Sequence, residues 1–436
     1  IAHGLVGSEM CIRDSSHIDY LALSYLLYYK DLMLPQIVAG KNLNLPLVGP
    51  LLRKGGAFFM RRSFSNNRLY SVVFYEHLKK LMQRGHSIEF FPEGGRSRSG
   101  KLMPPRPGII SMILRSFLGM DEKQVSFVPI SINYEKVLEG NSYINEVMGA
   151  EKKKENLKDI FSVFRDFRNY LGEAYLQFGE PINLNALLKE YPLSDYSSEK
   201  DWLFKVTPVL GKKIMTTIND STVVTSTALF SLAILNSDGF SISNRELVSR
   251  IELLKSLLVE DKYSAKTLIC EKTGEEIIDQ MRKLGFLSKE DINDRISLTN
   301  LEAAKLSFYR NNISHLLIFE SLICGFFQYQ KEIVKEDLLQ SIKMIYPFLK
   351  EEFFLKWDEA DLDQLINLKL NKLINKNLIL EDSNVYKRPD FKSREFYETQ
   401  SLGKLVQPSI DRFYVLISQL WKNSAEHISK NELERN

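Results

Sequence analysis

The segment Phe90-Phe91-Pro92-Glu93-Gly94-Gly95-Arg96-Ser97-Arg98-Ser99-Gly100 places two adjacent glycines, two arginines and a carboxylate in one short run. Adjacent glycines let a backbone approach a ligand closely and expose its amides. Arg96 and Arg98 supply forked donors suited to a phosphate. Glu93, set among these cations, is expected to be ionised and to orient an arginine or a substrate hydroxyl. The run is not a P-loop, since the Gly-Lys-Ser/Thr ending is absent. Nor is it a nucleophile elbow, for no Gly-x-Ser-x-Gly occurs there.

Three shorter blocks add to it. Gly56-Ala57-Phe58-Phe59-Met60-Arg61-Arg62 reads as an apolar strand ending in two arginines, whose alternation sends one toward a cleft and the other to solvent. Val128-Pro129-Ile130 puts a proline in a strand-like run, which predicts an edge or a site wall because proline cannot donate to a ladder. Ser16-His17-Ile18-Asp19-Tyr20 lies at the entry to a helix. Taken singly, each block reads more readily as structural than as functional.

The elements that must hold these blocks follow from periodicity. Helices are predicted over 19–29 and 67–83, the second with an apolar stripe of Leu69, Val72, Val73, Leu78, Leu81 and Met82. Short strands are predicted at 36–39, 57–60, 87–91, 125–132 and 175–178. Strands alternating with helices predict an α/β domain, a central sheet flanked by helices, with its ligand site in loops at strand ends. From about Ser197 the pattern turns to long helices, giving a mainly α-helical C-terminal domain. Ser243–Glu246 and Thr299–Glu302 fit capping boxes, and Pro347 is expected to stop the helix that begins near Ile333. Segments 275–299 and 363–388 each read as a helix followed by a hairpin, a winged-helix-like order. The boundary is placed at 191–199, between domains of 16–190 and 197–436.

Charge narrows the partner. Residues 41–115 hold 14 Lys and Arg against three Glu, a net of +11 in a chain of net +3, so the other 361 residues carry −8. Such a local excess predicts an anionic partner. Nucleic acid is not the expected one, because the winged-helix-like segments lie in the acidic part. Three unpaired cysteines fit a reducing compartment and exclude a Cys-based zinc site. No stretch reaches the roughly 20 apolar residues of a spanning helix, so a soluble or surface-bound chain is expected. Cys324, His315 and Glu320 fall in an apolar helical stretch and are read as residues packed within protein.

The order of the blocks carries more than any one of them. SHIDYLALSYLLYY (16–29), AGKNLN (39–44), GAFFMRR (56–62), FFPEGGRSRSG (90–100) and FVPISINYE (127–135) together resemble the glycerol-3-phosphate acyltransferase family, in its large bacterial membrane-associated type. LQFGEPINL (176–184), YRNNISH (309–315) and FFLKWD (353–358) extend the resemblance over most of the chain. It implies transfer of an acyl group from acyl-CoA or acyl carrier protein to the 1-hydroxyl of glycerol 3-phosphate, giving lysophosphatidate, with no cofactor and no metal. Dihydroxyacetone phosphate and lysophosphatidate are the alternative acceptors. It also implies a peripheral place at an anionic membrane surface, the cytoplasmic side of a bacterial inner membrane. Asp19 and Glu93 are then the candidate catalytic residues. Arg61, Arg62, Gly94, Gly95, Arg96, Ser97 and Arg98 would hold the glycerol phosphate, and Pro129 would lie on the acyl-donor side.

Five positions before Asp19, where the family has its general-base histidine, this chain has Asp14. A carboxylate is a weaker base than imidazole by about 2 to 3 pKa units. The chain as written is therefore expected to be impaired, or to bind without reacting. Residues 1–15, IAHGLVGSEMCIRDS, resemble translated sequencing-adapter read-through and are expected to form a tail, with the natural sequence beginning near Ser16 and a longer N-terminal region lost.

Overall fold

A computed structural model describes residues 8–16, 18–44, 46, 48–61, 67–120, 124–138, 171–287 and 294–422. The chain divides into two compact units. The first comprises 1–228, 262–289 and 300–312, and the second 229–261, 290–299 and 313–436.

The first unit is built on a seven-stranded sheet. Its strands are β1 (Ser8–Ile12), β2 (Gln36–Gly40), β3 (Ala57–Met60), β4 (Ile88–Phe90), β5 (Ser126–Tyr134), β6 (Ala174–Phe178) and β7 (Ile182–Asn183). The order is β3-β2-β4-β1-β5-β6, with β7 also on β5. The first five are parallel and the last two antiparallel. Parallel strands need crossovers, supplied by α1 (Asp19–Tyr29), α2 (Val48–Lys54), α3 (Arg68–Gln83) and α4 (Pro107–Leu118). The chain moves one way along the sheet through α1 and α2 and back through α3 and α4. Right-handed crossovers therefore put the first pair on one face and the second pair on the other. The sheet flanked by helices is the fold class the sequence predicted.

Three expectations are corrected here. Residues 8–12 are not a tail: they form β1, paired with β4 on one side and β5 on the other, with Met10, Cys11 and Ile12 wholly buried. The slot demands apolar residues on both faces, and Met10-Cys11-Ile12 supplies them. On α3 the buried face is Phe74, Leu78 and Met82, spaced four apart, whereas Leu69, Val72 and Val73 are exposed. Pro129 is not on an edge. Its strand lies between β1 and the β6–β7 pair, and its missing N–H falls where β7 gives way to β6. There Gly179 N donates to Pro129 O at 2.8 Å.

The boundary expected at 191–199 is not where the chain divides. Helix Glu199–Asp220 buries Trp202, Val206, Leu210 and Ile214, and packs on α4 and β5. Gly211 lies against Pro105, where an added Cβ would stand 3.0 Å from the ring, so helix and loop touch closely.

The second unit is mainly helical. Glu320, buried in helix Ile318–Phe326, pairs with Lys372 and, at 3.1 Å, with Lys369. Burial pushes the Glu320 carboxyl up, but the two ammoniums outweigh it and leave it below its ordinary value. His315 and Cys324 are buried, as read from the sequence. The Ser243–Glu246 capping box forms. Pro347 does not end its helix, which runs Lys335–Phe353 and stops at Phe354, whose φ is +50°. Helix Leu362–Asn375 is followed by the hairpin Leu380–Asp382 and Val385–Lys387, joined by strand Glu332–Val334. The other winged-helix-like segment differs: Arg295–Ser297 pairs with the distant Ser241–Ser243.

Candidate active site

Parallel strands bring their carboxyl ends to one edge, so the turns leaving β1, β3, β4 and β5 converge there. The β1 turn carries residues 13–18 and the β4 turn carries 91–101. Ser97 N donates to Asp14 O at 2.9 Å, which fastens the two turns together. Asp14 N donates to Glu93 Oε1 at 3.2 Å and Met103 N to Glu93 Oε2 at 2.8 Å. Position 14 is thus half-buried and fixed beside Glu93.

Asp19 opens α1 and is wholly buried. Its Oδ2 accepts from Ser15 N at 2.7 Å and Ser16 N at 2.8 Å, closing the turn onto the helix start. Its Oδ1 accepts from Tyr134 Oη at 2.6 Å, at the end of β5. A carboxylate held by three donors on two elements cannot swing. It is aimed across the turn that carries position 14.

Glu93 departs from the sequence reading. Its neighbouring cation is Arg13, and burial raises its carboxyl to about 7, with Asp19 adding to the rise and Arg13 and two amides opposing it. Near neutrality it is half protonated rather than fully ionised. Because the folded state holds the proton more tightly than an unfolded chain, stability falls as pH rises from about 4.5 through 7. The full cost is about 3 kcal/mol. Glu93→Gln is expected to flatten that dependence. Between pH 5 and pH 8 the melting temperature of the variant should fall by roughly 5 °C less than that of the parent. Equal falls in the two proteins would show that Glu93 does not carry the proton.

The remaining candidates divide. Gly94 has φ +63°, and a Cβ there would meet Arg106 Cδ at 2.6 Å, so glycine is required. A Cβ added at Gly95 would meet nothing within 4 Å. Ser97 is buried, its hydroxyl donating to Lys101 O, which makes it a brace of the turn. Arg96 and Arg98 are half-buried on the same turn. The Arg61 guanidinium lies over the Tyr70 ring at 4.7 Å. Arg62 lies outside the described residues, as does His17. Pro129 pairs in register with Cys11, and Cys11 with Phe90, so it stands level with the last residues of β1 and β4 although its own strand runs on to Tyr134.

Sequence reasoning missed several contributors. Tyr134 holds Asp19. Arg13, wholly buried, donates to Gly100 O and Asn312 Oδ1. From helix Asn300–Ile313, Asn311 Nδ2 donates to Ser99 O at 2.8 Å and Tyr309 Oη accepts from Val137 N at 3.0 Å. Phe308 O would stand 2.0 Å from a Cβ on Gly100, whose φ is +79°. The quoted segment YRNNISH was the available signal, for it places Tyr309, Asn311 and Asn312 together. Glu89, two residues before the turn, is buried without a hydrogen-bond partner among the described residues. Burial, then Asp19, raise its carboxyl well above the ordinary value.

The arrangement offers a buried, clamped carboxylate behind a turn position, and beside it a glycine–arginine turn able to take a phosphate. Known proteins show the same pairing of regions. A family model described as acyltransferase matches residues 15–133, and one described as glycerol-3-phosphate acyltransferase C-terminal region matches 143–436. A glycerol-3-phosphate acyltransferase of Pseudomonas putida (strain GB-1) is 37% identical over 427 residues, covering 96% of this chain and 52% of that protein. One from Pseudomonas aeruginosa (strain LESB58) is 36% identical over 428 residues, covering 96% and 51%. The chain thus spans about half the length of the curated relatives it matches. A crystal structure of the 1-acyl-sn-glycerophosphate acyltransferase of Thermotoga maritima shares 16% identity at a TM-score of 0.28, over 49% of this chain and 68% of that one, too distant to add to the fold above. With one model on the sheet that builds the site and the other on two thirds of the chain, this chain belongs to the glycerol-3-phosphate acyltransferase family.

Proposed function

We propose that this chain carries the catalytic part of an enzyme that moves a fatty acyl group from a thioester, acyl-CoA or acyl carrier protein, to the 1-hydroxyl of glycerol 3-phosphate. The observation that supports it most is Asp19: wholly buried, held by Ser15 N, Ser16 N and Tyr134 Oη, and five residues after the half-buried position 14. An imidazole at that position would have its orienting carboxylate in place.

In this reading the base takes the hydroxyl proton as the oxygen attacks the thioester carbonyl. The thiolate then leaves and takes that proton back, so ester and free thiol are the products. Asp19 orients the base and steadies its positive form. Arg96 and Arg98, on the Gly94–Gly95 turn, hold the phosphate, and the basic excess of 41–115 draws in anionic substrates. The acidic Asp14 favours a second reading for the chain as written, one that binds glycerol phosphate and turns it over poorly. The proposed setting is peripheral, at the cytoplasmic face of an anionic membrane. No helix among the described residues is long and apolar enough to cross one.

Calorimetric titration tests the binding half without requiring turnover. Glycerol 3-phosphate is expected to bind and glycerol not to. Replacing Arg96 and Arg98 by alanine should weaken binding by about 10- to 100-fold, the value of one or two charged hydrogen bonds. Unchanged affinity in that variant would move the phosphate site elsewhere.

A further inference from the structure

Helix α1 has no polar face. Asp19, Leu23 and Leu27 point into the protein and are buried. On the opposite side Leu21, Tyr25, Tyr28 and Tyr29 form a stripe at helical spacing, and the three tyrosines are 70%, 73% and 68% exposed. The Tyr25 and Tyr29 rings stack at 6.3 Å, with the Lys30 ammonium 5.6 Å from the Tyr29 centroid. A solvated helix normally turns charged residues outward. Just beyond this one, Met33 and Leu34 continue the exposed apolar surface.

The charge carried with the stripe is basic. From α1 through the end of α2, residues 20–56 hold Lys30, Lys41, Arg53 and Lys54 against Asp31, a net of +3. Crossover handedness sets α2 on the same sheet face as α1, and α2 ends in Arg53 and Lys54 behind an exposed Leu51.

We propose that the outer face of α1, flanked by the basic end of α2, is the surface by which this chain sits on an anionic lipid bilayer. The chemistry favours lipid over protein on three counts. Tyrosine rings prefer the headgroup level, where one end is apolar and the other wet. Lysine stems lie along apolar surface while their ammoniums reach phosphate. A second copy of the same face would set one basic segment, net +3 over residues 20–56, against another, which disfavours self-association. Asp19 begins the helix, so an 11-residue α1 keeps the docking face within about 16 Å of the carboxylate. The inference rests on the acyl-transfer reading only in that a fatty-chain donor is met at a lipid surface; the face itself is read from its composition.

Co-sedimentation with vesicles tests it on the chain as it stands. The chain should pellet with phosphatidylcholine vesicles containing phosphatidylglycerol, bind pure phosphatidylcholine weakly, and release at high salt. Arg53→Gln with Lys54→Gln should weaken binding about 30-fold, at about 1 kcal/mol per charge. Tyr25→Ser with Tyr28→Ser and Tyr29→Ser should weaken it at least as much, with circular dichroism and glycerol 3-phosphate affinity unchanged. The proposal is overturned if the chain ignores anionic vesicles, or if both variants pellet like the parent. It is also overturned if sedimentation equilibrium shows a dimer that the tyrosine variant dissolves. A chain that binds glycerol 3-phosphate but no vesicle removes this inference alone, and the reverse result removes the phosphate site alone.

Discussion

Asp14→His is expected to raise the rate of acyl transfer by about 10² to 10⁴, the usual worth of a general base matched to its task. The scaffold for the base is already complete. Asp14 is tied through its amide to Glu93 and through its carbonyl to Ser97, and these backbone bonds do not depend on the side chain. Asp19 is clamped from three sides behind it. A histidine introduced there needs no new partner to orient it. Its pH profile should rise with deprotonation of the imidazole, whereas the parent, with a carboxylate at position 14, should show no such limb. Steady-state rates of thiol release across pH 5 to 9 check both points. A variant no faster than its parent, and with the same profile, would remove position 14 from the chemistry.

The second large effect is expected at Asp19. In the Asp14→His protein, Asp19→Asn should lower the rate by about 10³ to 10⁴, since a base without its charged orienter takes the wrong tautomer or the wrong angle. The amide cannot satisfy its neighbours as the carboxylate does. Ser15 N and Ser16 N both need an acceptor, and so does Tyr134 Oη, but asparagine offers one oxygen and an NH₂. One buried donor is left unmet, at about 1 to 3 kcal/mol of stability. Rate and melting temperature should therefore fall together. Tyr134→Phe, which removes one donor but keeps the carboxylate, separates the two causes: it should cost stability and only a small part of the rate.

The legible parts of the molecule were those where one residue type has one physical use. An alternation of short apolar strands with helices predicted the flanked sheet, and the Glu93–Gly100 run was legible as a turn after a strand because glycine pairs and arginines seldom share any other local purpose. Glu320 in an apolar helix was read as packed in protein and proves to be buried against Lys369 and Lys372. The misread parts were those decided by tertiary company. Ser8–Ile12 has only three consecutive apolar residues, and a buried Glu9 breaks the pattern of a central parallel strand, its carboxyl pushed well up by burial. Glu93 was assigned to its sequence neighbours Arg96 and Arg98, but the sheet delivers Arg13 instead. Tyr134, Asn311 and Asn312 are 115, 212 and 299 residues from their partners Asp19, Ser99 and Arg13. Local spacing cannot reveal such pairs.

We propose that the turn between Asp14 and Asp19 and the turn from Glu93 to Gly100 form one site for acyl transfer to glycerol 3-phosphate. The most direct test offers the Asp14→His protein one acyl thioester with three acceptors: glycerol 3-phosphate, dihydroxyacetone phosphate and lysophosphatidate. Products are resolved by mass spectrometry. Lysophosphatidate made from glycerol 3-phosphate is expected as the dominant product, lost when Asp19→Asn is added. Dominant acylation of either other acceptor, or product formation that survives Asp19→Asn, would contradict it.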